Sequence, residues 1–326
     1  MKYVFISKQG EILPLAQQVE AEGNQVDMYV CTNEDLIVDR HITDNAPDII
    51  VFDSAGFGKL AYRLSRSGFS VLGSSMFTDQ LEETSGYSEK VLRMCGLPTS
   101  GSEGIDLQID AWFNGKIFTN HVYCLDNIVS PGTSSDKLFT QYISKLVPAL
   151  KKSEYRGPVI IGCKGLKDTA SFYNLRARIA SPTMLVLKEG LKGRISNLLV
   201  TLAHGQNRAF MFKPGYFIAI SINLNPGPLF DTQDYCEFEA FSLGQDTLKH
   251  MWLFGFTHKS GDKFIYRGYG GRIAVVTARG DTIREARRRA YRTIFNLTIP
   301  GILFLQKVGK SAMVGYSNLR QWGWIS

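Results

Sequence analysis

Two glycine-rich stretches have the residue types and spacing that could bind an anion. The first, Gly56-Phe57-Gly58-Lys59-Leu60, follows an apolar run that ends just before Asp53. It is not a P-loop, because neither Asp53 nor Ser54 supplies the motif's first glycine and Leu60 replaces the hydroxyl residue that binds Mg²⁺. Free backbone N–H groups at a strand-to-helix turn can still bind an anion. Gly56 and Gly58 are therefore candidate ligand residues, and a tight turn without a ligand is the alternative.

The second stretch, Gly268-Tyr269-Gly270-Gly271-Arg272, joins two apolar runs. Glycine permits a close backbone approach, and the arginine side chain offers paired donors to a phosphate or carboxylate. Gly271 and Arg272 are the other two candidate residues for binding a ligand. A β-turn with a solvated arginine is an alternative interpretation of the same sequence.

Other common site chemistries have no matching spacing. The five cysteines are odd in number and contain no C-x-x-C pair, so a disulfide framework and a zinc site are not expected. The five histidines are scattered, without H-E-x-x-H. We expect no catalytic residue, no metal and no cofactor.

The net charge of +7 is compatible with nucleic acid, a membrane surface or anionic metabolites as partners. Its densest cluster, at residues 284–292, interleaves arginines with apolar residues at helical spacing. This pattern favours one amphipathic helix with an exposed arginine face, and no nucleic-acid motif accompanies it. No apolar run is long enough to span a bilayer. The first residues are typical of a β-strand, not a signal peptide, which favours an intracellular protein.

The elements that must position these residues begin as an α/β pattern. Short apolar runs at 3–7, 26–30, 48–52 and 69–72 alternate with helical patterns, which predicts a doubly wound parallel sheet. A helix is predicted over residues 76–95, ending at Gly96. We take residues 1–98 as an N-terminal α/β domain.

The pattern then changes. Residues 99–104 are small and polar, as in a linker, and Asn114-Gly115 predicts a hairpin closed by a type I′ turn. The remaining elements predicted downstream are helices at 136–150, 181–203 and 281–296, and strands at 159–163, 170–173, 208–222, 249–257, 263–269 and 272–277. We divide this part into a core, 99–205, and a strand-rich C-terminal domain, 206–326.

Three strings resemble glycinamide ribonucleotide synthetase (phosphoribosylamine–glycine ligase), an ATP-grasp family. The most specific runs from Gly271 to Tyr291 and is similar to the family's G-G-R-V-x-x-V-T-A-x-G-x-T-x-x-E-A followed by R-A-Y. Residues 71–99 resemble its F-G-P, L-E-x-S-K and I-P-T motifs. A fainter similarity runs from Tyr155 to Ile179. The resemblance implies an α/β fold with a reduced ATP-grasp core, and it implies that Arg272 and the Gly56–Gly58 turn converge on a phosphosugar.

The departures from the family concern ATP. The family places a lid after I-P-T, whereas here Thr99 is followed almost at once by a segment that resembles the strands after the lid. At the family's metal-ligand positions stand Asn174, Arg176, Ser181 and Thr183. Hard Mg²⁺ prefers oxygen ligands, above all carboxylates, and a fixed arginine charge would repel it.

Three hypotheses follow. The first is a catalytically inactive relative acting as a binding or structural protein, in the cytoplasm, or in a virion, since minimal versions of the fold also resemble genes of tailed phages. The second is an atypical ATP-dependent carboxylate–amine ligase of the purine-biosynthesis type. The third is an anion or nucleic-acid binder. We expect a protein partner or self-association, with a small anion as the alternative ligand; nucleic acid and membrane are not expected.

Overall fold

The structure is a computed structural model of the 326-residue chain. It describes residues 1–31, 42, 45–101, 103–179, 182–224, 236–240, 243–260, 263–268, 271–299 and 301–326. Its strands are β1 (Lys2–Ser7), β2 (Gln25–Val30), β3 (Ile49–Phe52), β4 (Ser70–Leu72), β5 (Ile105–Phe113), β6 (Phe118–Leu125), β7 (Ile128–Pro131), β8 (Gly157–Gly165), β9 (Ala170–Arg176), β10 (Tyr216–Leu224), β11 (Cys236–Ala240), β12 (Met251–Leu253), β13 (Phe256–Ser260), β14 (Lys263–Gly268), β15 (Gly271–Gly280) and β16 (Ile302–Phe304).

The described α-helices are short, and the longest has 13 residues. They are α1 (Leu13–Ala21), α2 (Gly58–Arg66), α3 (Met76–Glu83), α4 (Tyr87–Met94), α5 (Lys137–Gln141), α6 (Val147–Lys152), α7 (Pro182–Leu185), α8 (Leu187–Gly190), α9 (Ile195–Ala203), α10 (Gln245–Leu248), α11 (Ile283–Phe295) and α12 (Ala312–Gln321). A 3₁₀ turn, Ile143–Leu146, lies between α5 and α6. None of these described helices is long and apolar enough to cross a membrane.

The first sheet is parallel, in the order β2-β1-β3-β4. Strand β1 is apolar on both faces, as buried parallel strands are. Val4 and Ile6 pack with Leu60 of α2 on one side, whereas Tyr3 and Phe5 join the cluster around α9 on the other. The predicted doubly wound α/β arrangement is confirmed.

The second sheet is antiparallel and contains strands from both residues 99–205 and residues 206–326. Its order is β12-β15-β10-β7-β6-β5-β8-β9, and β16 pairs with β10. The largest apolar cluster lies between one face of this sheet and the helices α4, α11 and α12. The opposite face packs through Trp112 and Phe217 against α9 and the parallel sheet. A third sheet, β11-β14-β13, is separate. The large sheet thus includes strands from both sides of the proposed boundary between residues 205 and 206.

Three long predicted helices are broken. The helix predicted over 136–150 is α5, the 3₁₀ turn and α6. The helix predicted over residues 76–95 is interrupted between α3 and α4, where Gly86 has φ of +75°. A capping box of Ser75 and Thr78 starts α3. The helix predicted over 181–203 is three short helices, α7 to α9. The strand predicted over 208–222 begins only at Tyr216.

The hairpin predicted at Asn114-Gly115 is confirmed, but the prediction of a type I′ turn is wrong. Strands β5 and β6 pair antiparallel across a four-residue connection, in which only Gly115 has positive φ (+90°). The Asn114 side chain accepts hydrogen bonds from the N–H groups of Lys116 and Ile117, both at 2.9 Å. A two-residue turn with both φ values positive instead joins β6 to β7, at Asp126 (+47°) and Asn127 (+59°).

Candidate functional site

The candidate site lies at the carboxyl ends of β1 and β3. The chain runs outward from β1 to β2 and then returns to β3 on the other side of β1, so the strand order reverses between β1 and β3. Open parallel sheets bind ligands in the crevice at such a reversal. Ser7 ends β1 and Asp53 follows β3, and the Ser7 hydroxyl donates a hydrogen bond to the Asp53 carboxylate.

The Gly56–Gly58 turn is not a free anion site. The Asp79 carboxylate, on α3, accepts hydrogen bonds from the N–H groups of Gly56 (2.6 Å) and Gly58 (2.8 Å). The sequence predicted free N–H groups here, and that prediction is wrong, because a carboxylate more than twenty residues further along the chain reaches them. An external anion can bind these groups only by displacing Asp79.

The backbone conformation explains why position 56 is glycine, since other residues rarely adopt a φ in this range. Its φ is +93°, and a Cβ atom built on it would collide with the ammonium group of Lys8. The Lys8 ammonium also lies 5.6 Å from the centre of the Phe57 ring. The loop after β1 therefore packs directly on the turn after β3.

Arg272 reaches the same loop from the other end of the chain. Its guanidinium donates to the Glu11 carboxylate at 2.9 Å and lies 4.8 Å from the centre of the Phe254 ring. Gly271, beside it, is exposed with φ of +76° and has open space where a Cβ would be. Both predicted halves of the site thus meet the loop of residues 8–11, Gly56 through Lys8 and Arg272 through Glu11.

The crevice contains groups of both charge signs, and one pair of them is joined directly. Asp53 is buried, and burial raises its pKa, as does the nearby Glu11; hydrogen bonds from Ser7 and Ser54 act in the opposite direction. Arg272 is paired with the Glu11 carboxylate, whereas the Lys8 ammonium lies over the Phe57 ring. The arrangement can hold the parallel sheet to β15 through paired charges without a ligand.

The proposed metal-ligand positions give a second polar cluster. Thr183 is buried and donates to the Asp110 carboxylate of β5, which also accepts from the Gln108 amide at 2.7 Å. Arg176 is exposed at the end of β9. Asn174 pairs across the sheet with Gly162. Ser181 lies outside the described residues.

Sequence reasoning missed Asp110, because it considered carboxylates only near the motif in the chain. The alternation along β5 could have indicated that Asp110 shares a face with Gln108. Among the described residues, no cluster of three or more histidine, cysteine or acidic side chains could hold a metal ion.

The fold is the ATP-grasp fold. Phosphoribosylamine–glycine ligase from Thermotoga maritima is similar to the chain with a TM-score of 0.66 at 14% identity, covering 93% of this chain and 99% of that one. Biotin carboxylase from Campylobacter jejuni gives 0.66 at 12%, covering 98% and 96%. Urea carboxylase from Kluyveromyces lactis gives 0.65 at 12% over the whole of this chain, which spans only 32% of that protein.

No protein-family model and no curated protein sequence matches the chain. The likeness to solved structures confirms the expected α/β, ATP-grasp-like architecture. At 12–14% identity it concerns the fold alone.

Proposed function

We propose that the protein is a catalytically inactive relative of phosphoribosylamine–glycine ligase that acts as a binding or structural protein. The observation that carries this proposal is the connection between α4 and β5. Thr99 follows α4 closely and β5 begins at Ile105, so six residues, 99–104, occupy the place where the resembling enzymes insert a lid. Without a lid nothing covers a bound triphosphate or excludes water from it.

The core motif supports the same proposal. Phosphoryl transfer depends on divalent ions that offset developing charge. At about 4 Å and an effective dielectric near 20, an arginine charge repels a divalent ion by roughly 8 kcal/mol. Arg176 is exposed and can turn away, so this repulsion adds to the argument of the missing lid and does not replace it.

The crevice at β1 and β3 supports a non-catalytic role as well. The N–H groups of the Gly56–Gly58 turn donate hydrogen bonds to Asp79, and Arg272 is paired with Glu11. A phosphosugar would have to displace both carboxylates. We place the protein in the cytoplasm, or in a virion if a tailed phage encodes it, with a protein as its main partner.

The experiment is to incubate the purified protein with phosphoribosylamine, glycine and Mg²⁺-ATP, and to follow ADP release. We expect no glycine-dependent turnover, and calorimetry should show no Mg²⁺-ATP binding at millimolar concentration. The matched control is Arg272→Ala. Turnover that disappears in this variant would instead establish the ATP-dependent carboxylate–amine ligase that the fold likeness keeps as the second candidate.

A further inference from the structure

The excess of positive over negative charge lies in the C-terminal part of the chain. Residues 286–326 contain seven arginines and lysines and no acidic residue. Subtracting these seven from 37 leaves 30 basic residues, which equals the 30 acidic residues of the chain. The formal net charge of +7 therefore equals the charge of residues 286–326, which include most of α11 and all of β16 and α12.

The five arginines of α11 divide into two groups. Arg289 pairs with Glu285, and Arg287 donates to the carbonyl of Val308. Arg284, Arg288 and Arg292 recur at every fourth position, which places them on one exposed face of the helix. No acidic side chain in the part of the chain that the structure describes forms an ion pair with these three.

An apolar patch adjoins this arginine face. Phe295, the last residue of α11, is 70% exposed and packs edge-on against the Phe304 ring of β16 at 5.8 Å. Leu303 and Leu305 flank Phe304 and are 50% and 68% exposed. Leu303 lies within β16, next to Phe304, and Leu305 directly follows the end of the strand. Three exposed apolar side chains, Phe295, Leu303 and Leu305, thus lie at the short strand β16 or next to it, and we call them the apolar patch.

We propose that this surface binds an acidic segment of a partner protein, whose apolar side chains cover Phe295, Leu303 and Leu305 and whose carboxylates pair with Arg288 and Arg292. Charge complementarity selects the sign of the partner. Two of the three exposed apolar side chains are leucines, which unlike the Phe295 ring offer no stacking surface to a base, so the patch favours protein over nucleic acid. A symmetric contact between two copies would place the arginine face against itself, which like charges oppose.

The test uses the full-length protein and a fluorescein-labelled synthetic peptide, in which leucines and a phenylalanine lie among glutamates. Polyglutamate and single-stranded oligothymidylate of equal charge serve as comparison probes. We expect the amphipathic peptide to bind most tightly. Its affinity should fall roughly tenfold or more in Arg288→Glu/Arg292→Glu and in Phe295→Ser/Leu305→Ser, because central anchors dominate such interfaces.

The matched controls are Arg208→Glu and Met94→Ser, which alter exposed side chains elsewhere and should leave binding unchanged. Equal binding of polyglutamate, tighter binding of oligothymidylate, no peptide binding, or parent-like binding by both double variants would overturn the proposal. So would a dimer in sedimentation velocity that Phe295→Ser/Leu305→Ser dissociates. Circular dichroism confirms that each variant is folded.

This inference rests on the proposed binding role, but its failure is distinguishable from failure of that role. ADP release would refute the inactive assignment while leaving the peptide result unchanged. Loss of peptide binding would remove this surface without restoring turnover.

Discussion

At the scale of single residues, the candidate site is defined by which polar groups are already paired. Asp79 occupies the N–H groups of Gly56 and Gly58, and Glu11 pairs with Arg272. A carboxylate on backbone N–H groups imitates a bound anion. The site can therefore be opened by removing the internal carboxylate.

We predict that Asp79→Ala creates an anion site at the cost of stability. Leaving the two N–H groups unpaired should lower the free energy of unfolding by about 1–3 kcal/mol, measured by urea denaturation. Added phosphate should then raise the melting temperature of the variant more than that of the parent, because a ligand that binds only the folded state stabilises it. Asp168→Ala, at an exposed position, is the control, and an equal response to phosphate in Asp79→Ala and parent would contradict the prediction.

The second prediction at this scale concerns Arg272. If a small anion such as ribose 5-phosphate binds in the crevice, Arg272→Ala should weaken it roughly tenfold, which corresponds to about 1.4 kcal/mol. Glu11→Gln should strengthen it, since the guanidinium loses its internal partner. Titration calorimetry measures both, and equal affinity in Arg272→Ala and parent would remove Arg272 from the site.

At the scale of elements, two hairpin turns have conformations that their sequences do not predict. The turn with positive φ at both residues is Asp126-Asn127 and not Asn114-Gly115. Asn114-Gly115 has the favoured type I′ sequence, yet the side chain of Asn114 shapes that turn through bonds to Lys116 and Ile117, and its amide donates to the carbonyl of Gln206 at 2.9 Å. Asp126-Asn127 lacks glycine, yet both residues adopt positive φ.

We therefore predict opposite responses to glycine. Asn114→Gly should lower the free energy of unfolding by about 2–3 kcal/mol, because three hydrogen bonds are lost at about 1 kcal/mol each. Asn127→Gly should be neutral or slightly stabilising, because glycine adopts positive φ without steric cost. Urea denaturation of the two variants decides the matter, and a tolerated Asn114→Gly would mean that the side-chain bonds contribute little.

At the scale of the whole molecule, a buried polar cluster joins distant parts of the chain. The Asp136 carboxylate accepts hydrogen bonds from the hydroxyl of Thr133 (2.8 Å) and the hydroxyl of Ser326 (2.6 Å), and His121 lies 3.7 Å away. Burial alone would raise the pKa of Asp136. The nearby His121 and the hydrogen bonds from Ser326 and Thr133 outweigh it and hold that pKa well below its usual range.

The sign of the pH effect follows. Because the folded-state pKa of Asp136 is lower than the unfolded value of about 3.9, its stabilising contribution is complete above that value and is lost as pH falls towards the folded one. Asp136→Asn should cost about 1.5–3 kcal/mol at neutral pH, and the gap from the parent should narrow below pH about 4. Urea unfolding at a series of pH values measures the gap; a constant gap down to pH about 3 would contradict the prediction.

The sequence by itself determined the features that depend on local pattern or chain length. Alternating apolar runs before residue 73 specify the parallel sheet, and the few residues between Thr99 and Asp110 leave no room for an inserted lid. The sequence alone also shows that the excess of positive charge lies in residues 286–326. These features can be predicted without knowing which residues distant in the chain contact each other in the fold.

Only the tertiary structure decided which groups are free. Asp79 reaches the turn at Gly56, Glu11 pairs with Arg272 across 261 positions, and Thr183 finds the Asp110 carboxylate. Hydrogen-bond partners of this kind depend on how sheets and helices pack, and packing is set by apolar burial summed over the whole core, not by neighbours in the chain. The break at Gly86 in the helix predicted over residues 76–95 is local by contrast, because Gly86 adopts φ of +75° and Ser85-Gly86 is a turn signal that the apolar periodicity concealed.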